Sequence, residues 1–228
     1  MITWLGPDDP PESFPPVSRA LREPDGLLAA GGDLSPQRLL YAYRQGIFPW
    51  YSQGQPILWW SPNPRAVLWP KELHVSRSLA KRLRRGDFTV TSDTAFNRVV
   101  DACAEPRAQS DETWITGDMA HAYRQLHRHG YARSIEVWDL DGTLIGGVYG
   151  VTLGRVFFGE SMFSAARDGS KIALAHLCTM DYHLIDCQLP NEHLFRLGAV
   201  LITREAFADH LARWCSDPLS PIAMGSER

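Results

Sequence analysis

The sequence predicts an α+β protein in which a small N-terminal domain precedes a larger mixed sheet. Three patterns support this prediction: a first part rich in proline and aromatic residues, a hairpin signal at residues 139–142, and a strand–helix–strand segment over residues 155–188. A hairpin makes its strands antiparallel whereas a helical crossover makes them parallel, so the sheet contains both kinds of pair. We expect domains at residues 1–75 and 76–216, and a frayed tail at residues 217–228.

The predicted N-terminal domain begins with an irregular arm, because residues 1–31 contain many prolines. A helix follows, with Ser35 as its N-cap, a proline at its first position and Gly46 at its end. The apolar runs 57–60 and 66–69 predict two short strands that pair with each other.

The tryptophans of this part of the chain have two explanations. The chain has 8 Trp, several of them grouped, and large aromatic side chains most often belong to a core. A ring that faces a cleft can instead stack on a nucleic-acid base. Trp50, which directly follows a proline in a helix-to-strand connection, is the strongest candidate for the second role.

A basic helix is predicted to begin at Ser76. Helical spacing brings Arg77, Lys81, Arg84 and Arg85 close to one face. A solvated surface is the ordinary explanation of such a run. The net charge is −3 and the pI about 6.2, so any contact with nucleic acid must be local, and phosphate binding by this face stays open beside the ordinary explanation.

The middle of the chain predicts two helices and a hairpin. Strand 88–91 precedes helices at 94–104 and about 118–129, and strands 134–138 and 143–149 flank the hairpin turn. The histidines of the second helix lack the i, i+4 spacing of a helical metal site, so we expect no metal there. The pair Gly146–Gly147 allows either close approach of a ligand to the backbone or a bulge.

The crossover segment carries the candidate site. Strand 155–158, a helix from Ser170 to about Tyr182, and strand 184–188 predict a parallel pair from whose carboxyl ends Glu160 and Asp186 emerge at one edge. Such an edge is where a ligand crevice is expected. A short helix at 191–197, a last strand at 199–202 and a helix at 204–214 complete the domain.

Alternation along the second strand of the crossover separates its polar side chains. Asp186 and Gln188 are predicted on one face and Cys187 on the other. If the acids face the crevice, the thiol faces the core, which makes a cysteine nucleophile improbable.

Cysteine usage and the N-terminus favour a soluble cytoplasmic enzyme without a membrane partner. The four cysteines are widely spaced and form no C-x-x-C pair, which suits reduced thiols better than a disulfide framework or a zinc site. The first residues lack the pattern of a signal peptide, and no apolar run approaches the length that spans a membrane.

Five motifs, in this order, resemble the leucyl/phenylalanyl-tRNA–protein transferase family over about residues 14–214. They are Gly32-Asp33-Leu34-Ser35, Gly46-Ile47-Phe48-Pro49-Trp50, Trp59-Trp60-Ser61-Pro62, Gly159-Glu160-Ser161-Met162-Phe163-Ser164 and Ile185-Asp186-Cys187-Gln188. The segment after the last motif departs from the family pattern at Phe195-Arg196, which leaves the local acceptor contacts open.

The resemblance implies a GNAT-like (acetyltransferase-type) fold for residues 76–216 and transfer of leucine or phenylalanine, with methionine as a further donor left open. Aminoacyl-tRNA would be the donor, and a protein with N-terminal arginine or lysine would be the acceptor. The N-end rule pathway would then degrade the modified protein. The enzyme would be a monomer without cofactor or metal. The catalytic residues implied are Glu160, Asp186 and Gln188, and which acid binds which cation of the acceptor stays open. The substrate-binding residues implied are Trp50, Trp114, Tyr123, Val148, Met162 and Ile185.

Two other functions stay open at the level of sequence. An acyl-CoA-dependent N-acyltransferase would share the fold, but the loop 165–170 has one glycine and an acid beside its arginine, unlike a pyrophosphate-binding loop. A non-catalytic tRNA-binding module would need no acids and glutamine converging at strand ends.

Overall fold

The computed structural model describes residues 2–105 and 115–216, which form two sheets and their flanking helices. The strands are β1 (Thr3–Leu5), β2 (Leu27–Gly31), β3 (Phe48–Pro49), β4 (Leu58–Trp60), β5 (Arg65–Leu68), β6 (Thr89–Ser92), β7 (Ala132–Trp138), β8 (Leu144–Leu153), β9 (Val156–Ser164), β10 (Leu184–Gln188) and β11 (Val200–Ile202). The helices are α1 (Pro36–Arg44), α2 (Arg77–Arg85), α3 (Phe96–Ala104), α4 (Gly117–Arg128), α5 (Gly169–Leu177), α6 (Glu192–Phe195) and α7 (Arg204–Trp214).

The smaller sheet has four strands in the order β1-β2-β4-β3. Helix α1 follows β2 and begins where the sequence predicts: Ser35 Oγ accepts a hydrogen bond from the amide of Arg38 at 3.4 Å, and Pro36 stands at the first position. Only the first of the two strands predicted to pair in this region, β4, lies in the smaller sheet.

The larger sheet has seven strands in the order β11-β5-β10-β9-β8-β7-β6. The predicted pairing of segments 57–60 and 66–69 is therefore wrong, because β5 pairs antiparallel with β10 and β11 instead of with β4. All four residues of β5 are buried, so the strand needs a partner on each side to satisfy its backbone groups. The boundary predicted at residues 75 and 76 thus falls after a strand that already belongs to the larger sheet.

The larger sheet is mixed, as the sequence predicts. β7 and β8 form the antiparallel hairpin, and β9 and β10 are parallel over Val156–Phe158 and Leu184–Asp186. The crossover helix α5 ends at Leu177, earlier than predicted, because the chain turns at Thr179 and Met180, whose amides donate to the carbonyl oxygens of His176 and Leu177. The α+β class is confirmed.

Side chains on the two faces of this sheet pack into two hydrophobic clusters. Tyr149 and Phe158 belong to the first, together with residues of α1, α3, α4 and α7. Their neighbours Val148 and Phe157 belong to the second, with residues of α2 and α5. The first cluster also takes in Trp59 of the smaller sheet, so the two sheets share one core.

The first of the paired glycines of β8 allows a helix to pack closely on the sheet. A Cβ placed on Gly146 would lie 2.4 Å from the carbonyl carbon of Gly169, the first residue of α5. An extra residue, Ile145, interrupts the pairing of β8 with β7 next to Gly146, so a bulge is present as well. Gly146 therefore lets the start of α5 rest directly on the sheet.

None of the helices in residues 2–105 and 115–216 combines the length and the apolar character that crossing a membrane requires.

Candidate active site

Glu160 stands at a bulge near the end of β9. Gly159 pairs with Gly150 and Ser161 with Tyr149, so Glu160 is an extra residue between two regular pairs. A bulge turns a side chain out of the alternation of its strand. Here it brings a carboxylate that is only 7% exposed to the place where the parallel pairing of β9 and β10 stops.

Three side chains from different elements donate hydrogen bonds to the Glu160 carboxylate. The hydroxyl of Tyr43 in α1 donates to Oε1 at 2.7 Å, and the hydroxyl of Tyr123 in α4 donates to Oε2 at 2.5 Å. The side-chain amide of Gln188 in β10 donates to Oε1 at 3.0 Å. Burial raises the pKa of Glu160 to about 7, although the three hydrogen bonds lower it. Glu160 therefore changes its charge close to neutral pH.

Gln188 owes its orientation to a second bulge. Asp186 pairs with Val67 and Gln188 with Ala66, so Cys187 is the extra residue, and Gln188 has a φ of 62°, in the left-handed region. Its backbone amide donates to Asp186 Oδ1 at 2.9 Å. The side chain then reaches across the gap between the strands to Glu160.

The Asp186 carboxylate is fully buried and bound to an arginine. Arg65 Nε donates to Oδ1 at 2.8 Å and Nη2 donates to Oδ2 at 2.6 Å. Asp186 also borders the cavity described below, but its side chain has no exposed surface, so the predicted contact of its carboxylate with a ligand stays a prediction. Asp186 is occupied within the protein, and Glu160 is the acid that faces Gln188.

Cys187 lies on the opposite face of β10 from Asp186, as predicted, but that face borders a cavity. It packs against the second hydrophobic cluster and lines a cavity, whereas the sequence predicts that it faces a core away from the ligand. Burial, and after it the charge of Asp186, raise the pKa of the Cys187 thiol. A thiolate nucleophile is therefore disfavoured by its surroundings even though the residue reaches the cavity.

The cavity has a volume of about 710 Å³ and lies beside β9, β10 and α5. Val148, Met162 and Ile185, three of the residues expected to bind substrate, line it together with leucines of α5. Glu160 and Gln188 line the same cavity, so a polar pair meets an apolar wall. This arrangement can hold an apolar group beside two hydrogen-bonding side chains.

The three remaining residues expected to bind substrate do not line this cavity. Trp50 is 40% exposed, and its ring centre lies 5.6 Å from that of Trp60. Tyr123 is fully buried beneath Glu160, so in this structure it acts through that carboxylate. Trp114 lies outside the described residues.

The basic helix α2 forms as predicted, with Ser76 as its N-cap and Gly86 in the left-handed conformation after its last turn. Arg77, Lys81, Arg84 and Arg85 are all exposed, and Arg85 is paired with Asp87. The apolar residues of α2 turn toward the second cluster.

Sequence reasoning missed Arg65 and Tyr43 as parts of the site. Arg65 is a charged residue at the start of a buried strand, which is a signal that it has a buried partner, although the sequence does not identify that partner. Tyr43 is one of the apolar stripe of α1, and its hydroxyl has no sequence signature. Within residues 2–105 and 115–216 no cluster of His, Cys, Asp and Glu has the composition to hold a metal ion.

Two family models match the chain. The model of the leucyl/phenylalanyl-tRNA protein transferase matches residues 67–212, and that of the N-terminal domain of the same enzyme matches residues 32–63. A leucyl/phenylalanyl-tRNA–protein transferase of Pseudomonas syringae pv. tomato is 58% identical over 215 residues, which are 92% of this chain and 93% of that one. The enzyme of the same name from Pseudomonas putida is 57% identical and covers 96% of this chain and 98% of its own.

Similar solved structures are distant in sequence. They include L-PGS from Bacillus licheniformis, with 11% identity, a TM-score of 0.38 and coverage of 72% of this chain and 53% of that chain. They also include a GCN5-related N-acetyltransferase from Kribbella flavida, with 12% identity, a TM-score of 0.35 and coverage of 72% and 60%.

Proposed function

This chain belongs to the leucyl/phenylalanyl-tRNA–protein transferase family, and we propose that it moves leucine or phenylalanine from aminoacyl-tRNA to the N-terminal amine of a protein that begins with arginine or lysine. The extended protein then becomes a substrate for degradation by the N-end rule pathway. The enzyme acts as a monomer in the cytoplasm, where charged tRNA is available.

One observation carries this proposal: the hydrogen-bonded pair of Glu160 and Gln188 borders an apolar cavity. The apolar wall of Val148, Met162 and Ile185 receives the leucine or phenylalanine side chain. Methionine is unbranched and adapts to either shape. The polar pair then lies beside the ester carbonyl and the incoming amine.

The reaction needs positioning more than activation. The amine nitrogen attacks the carbonyl carbon, the new C–N bond forms, the C–O bond to the ribose breaks, and the ribose oxygen takes up a proton as the amine loses one. The aminoacyl ester is already activated, and orienting two reactants can supply about 7–11 kcal/mol of the barrier. Gln188 orients the neutral amine through its amide oxygen, and Glu160, when ionised, attracts the protonated amine before attack.

The tRNA is held at two further places. Trp50, which is 40% exposed, stacks on a base near the 3′ end, a contact worth about 1–3 kcal/mol. Trp114 and Tyr123 complete the donor site, the second by fixing Glu160. Arg77, Lys81, Arg84 and Arg85 of α2 bind phosphates of the tRNA body.

The test is transfer in a purified system. The protein is incubated with leucyl-tRNA and a peptide that begins with arginine, without CoA, ATP or added transition metal, and mass spectrometry looks for the Leu-Arg product. We expect one added leucine, and none on a matched peptide that begins with alanine. No product on the arginine peptide would contradict the proposal, and acylation of that peptide by acetyl-CoA would favour the acyl-CoA-dependent alternative.

A further inference from the structure

Arg65 is a charged side chain that the protein encloses next to the candidate site. It is 1% exposed, and three of its nitrogens donate hydrogen bonds: two to the Asp186 carboxylate and Nη1 to the carbonyl oxygen of Gly46 at 3.2 Å. Its guanidinium carbon lies 4.8 Å from the ring centre of Phe48 and 4.6 Å from that of Phe207. These contacts join β3, β5, β10 and α7 around one cation.

Hydrogen bonds connect the Arg65–Asp186 ion pair to the candidate site. Asp186 Oδ1, which Arg65 holds, also accepts the backbone amide of Gln188 at 2.9 Å. That amide belongs to the bulge in which Gln188 takes its positive φ. The side chain of Gln188 then bonds Glu160 at 3.0 Å. Arg65 therefore lies two hydrogen bonds from the backbone of a residue that lines the cavity.

A positive φ outside glycine is held only where surrounding contacts fix it. The contact that fixes Gln188 is the Asp186 carboxylate, which has no exposed surface and forms an ion pair with Arg65. Both carboxylate oxygens are engaged by these partners, which leaves Asp186 unsuited to take a proton from the substrate.

We propose that Arg65 is a positioning residue for aminoacyl transfer, which fixes Gln188 through Asp186 and thereby sets the geometry between the acceptor amine and the ester. This proposal rests on the proposed function. It assigns Asp186 the role of a fixed anchor, and leaves direct contact with the acceptor to Gln188 and Glu160.

The planar fork of Arg65 bonds both carboxylate oxygens and lies over two aromatic rings, which the ammonium group of lysine cannot reproduce. Arg65→Lys keeps the charge and loses the fork. We expect this variant to bind leucyl-tRNA within about twofold of the wild type and to turn over bound donor about 100-fold more slowly, the order of loss that a displacement of about 1 Å causes.

A double variant separates positioning from simple support of the fold. Arg65→Met leaves the Asp186 carboxylate buried without a partner, whereas Arg65→Met with Asp186→Leu removes both charges. We expect the double variant to regain most of the melting temperature that Arg65→Met loses and to keep its low turnover, because Gln188 still has no anchor. The double variant also keeps the proposal testable if Arg65→Met alone does not fold.

The matched control is Arg38→Met, since Arg38 is also fully buried and is paired with Asp33 at 3.1 Å, away from the cavity. This variant should lose melting temperature and keep the turnover of bound donor at temperatures where it is folded. All variants are measured by single-turnover transfer at saturating enzyme, by tRNA binding and by thermal unfolding.

Recovery of turnover together with stability in the double variant would overturn the positioning role, and so would wild-type turnover in Arg65→Lys. An inactive wild-type protein would instead overturn the proposed function, and this proposal with it.

Discussion

At the scale of single residues, the carboxylate of Glu160 is the central group of the candidate site, and its protonation state changes close to neutral pH. Its two tyrosine partners, Tyr43 and Tyr123, have pKa values raised well above their usual value, by burial first and then by Glu160, so they remain hydrogen-bond donors. They come from α1 and α4, which places parts of the chain on both sides of the basic helix in contact with one acid. The site therefore exists only in the complete fold.

We predict that Glu160 makes stability depend on pH between about 4.5 and 7, its usual and its raised pKa. The folded protein binds the proton more tightly than the unfolded chain, so this contribution to stability is complete below pH 4.5 and is lost as the pH rises through 7. Each unit of difference between the two pKa values is worth about 1.4 kcal/mol.

Urea unfolding of the wild type and of Glu160→Gln over this pH range measures the effect. The free energy of unfolding of the wild type should fall with rising pH relative to that of the variant, which has no proton to lose. Parallel curves for the two proteins would show that Glu160 has an ordinary pKa.

The residues of the site differ in how far sequence can predict them. Glu160 and Gln188 are predictable, because they stand at the ends of two strands whose order the crossover fixes, whereas Val148, Met162 and Ile185 are expected from the family resemblance. The backbone conformation of Gln188 is not predictable, because it depends on a bulge that a pattern with a period of two does not record. Arg65 escapes prediction because its partner lies 121 residues further along the chain.

At the scale of elements, helices with local start signals are predicted well and strand partners are not. Ser35, Ser76 and the hairpin turn act on their own neighbours in the chain, so α1, α2 and the β7–β8 pair form as expected. The partners of β5 are β10 and β11, which lie far along the chain, and no local pattern near residue 65 indicates them.

We predict that Gly146→Ala displaces α5 and destabilises the protein. The new methyl group would lie 2.4–2.5 Å from backbone atoms of Gly169, which is too short for a Cβ contact. Backbone atoms cannot move aside as the end of a flexible side chain can. Overpacking of this kind typically costs about 1–3 kcal/mol. Because α5 lines the cavity, aminoacyl transfer should fall together with stability.

Gly117→Ala is the control for this change, since a Cβ on Gly117 meets no atom within 4 Å and its φ is not positive. Chemical unfolding should find this variant equal to the wild type or more stable by about 0.4–1 kcal/mol. Equal stability of the two alanine variants would mean that the sheet and α5 separate easily.

We predict that α2 contributes to tRNA affinity through charge alone. Changing Arg77, Lys81 and Arg84 to glutamine should weaken binding and reduce the slope of log affinity against log salt by about one unit for each phosphate that is no longer neutralised. Preference between leucyl-tRNA and phenylalanyl-tRNA should stay the same, because these charged residues are not among those that line the apolar cavity.

The control for α2 is Arg128→Gln, an exposed residue of α4, which packs on the opposite face of the larger sheet. It should leave the salt slope as it is. A slope unchanged by the α2 substitutions would return that helix to the role of a solvated surface.

At the scale of the whole molecule, the two sheets are joined by a common core. Leu28 and Trp59 of the smaller sheet belong to the same hydrophobic cluster as Val151 and Phe158 of the larger one. A hydrogen bond also joins distant parts of the chain: Arg204 Nε in α7 donates to the carbonyl oxygen of Ser61, which follows β4, at 3.0 Å.

We therefore predict one cooperative unfolding transition. Tryptophan fluorescence, to which Trp4, Trp50, Trp59, Trp60 and Trp69 of the first part contribute, should follow the same denaturant curve as far-ultraviolet circular dichroism of the whole chain. A fluorescence transition at lower denaturant would indicate that the predicted domains at 1–75 and 76–216 unfold separately.

The position of β5 in the larger sheet also determines when, during biosynthesis, this strand can pair with its neighbours. Arg65 leaves the ribosome 121 residues before Asp186, which at about 5–20 residues per second is a delay of roughly 6–24 s. During that interval the strand has neither neighbour, and its arginine has no carboxylate to bind. A nascent chain is thus surrounded by aminoacyl-tRNA long before it can use any, and it becomes an enzyme only when its last strands are made.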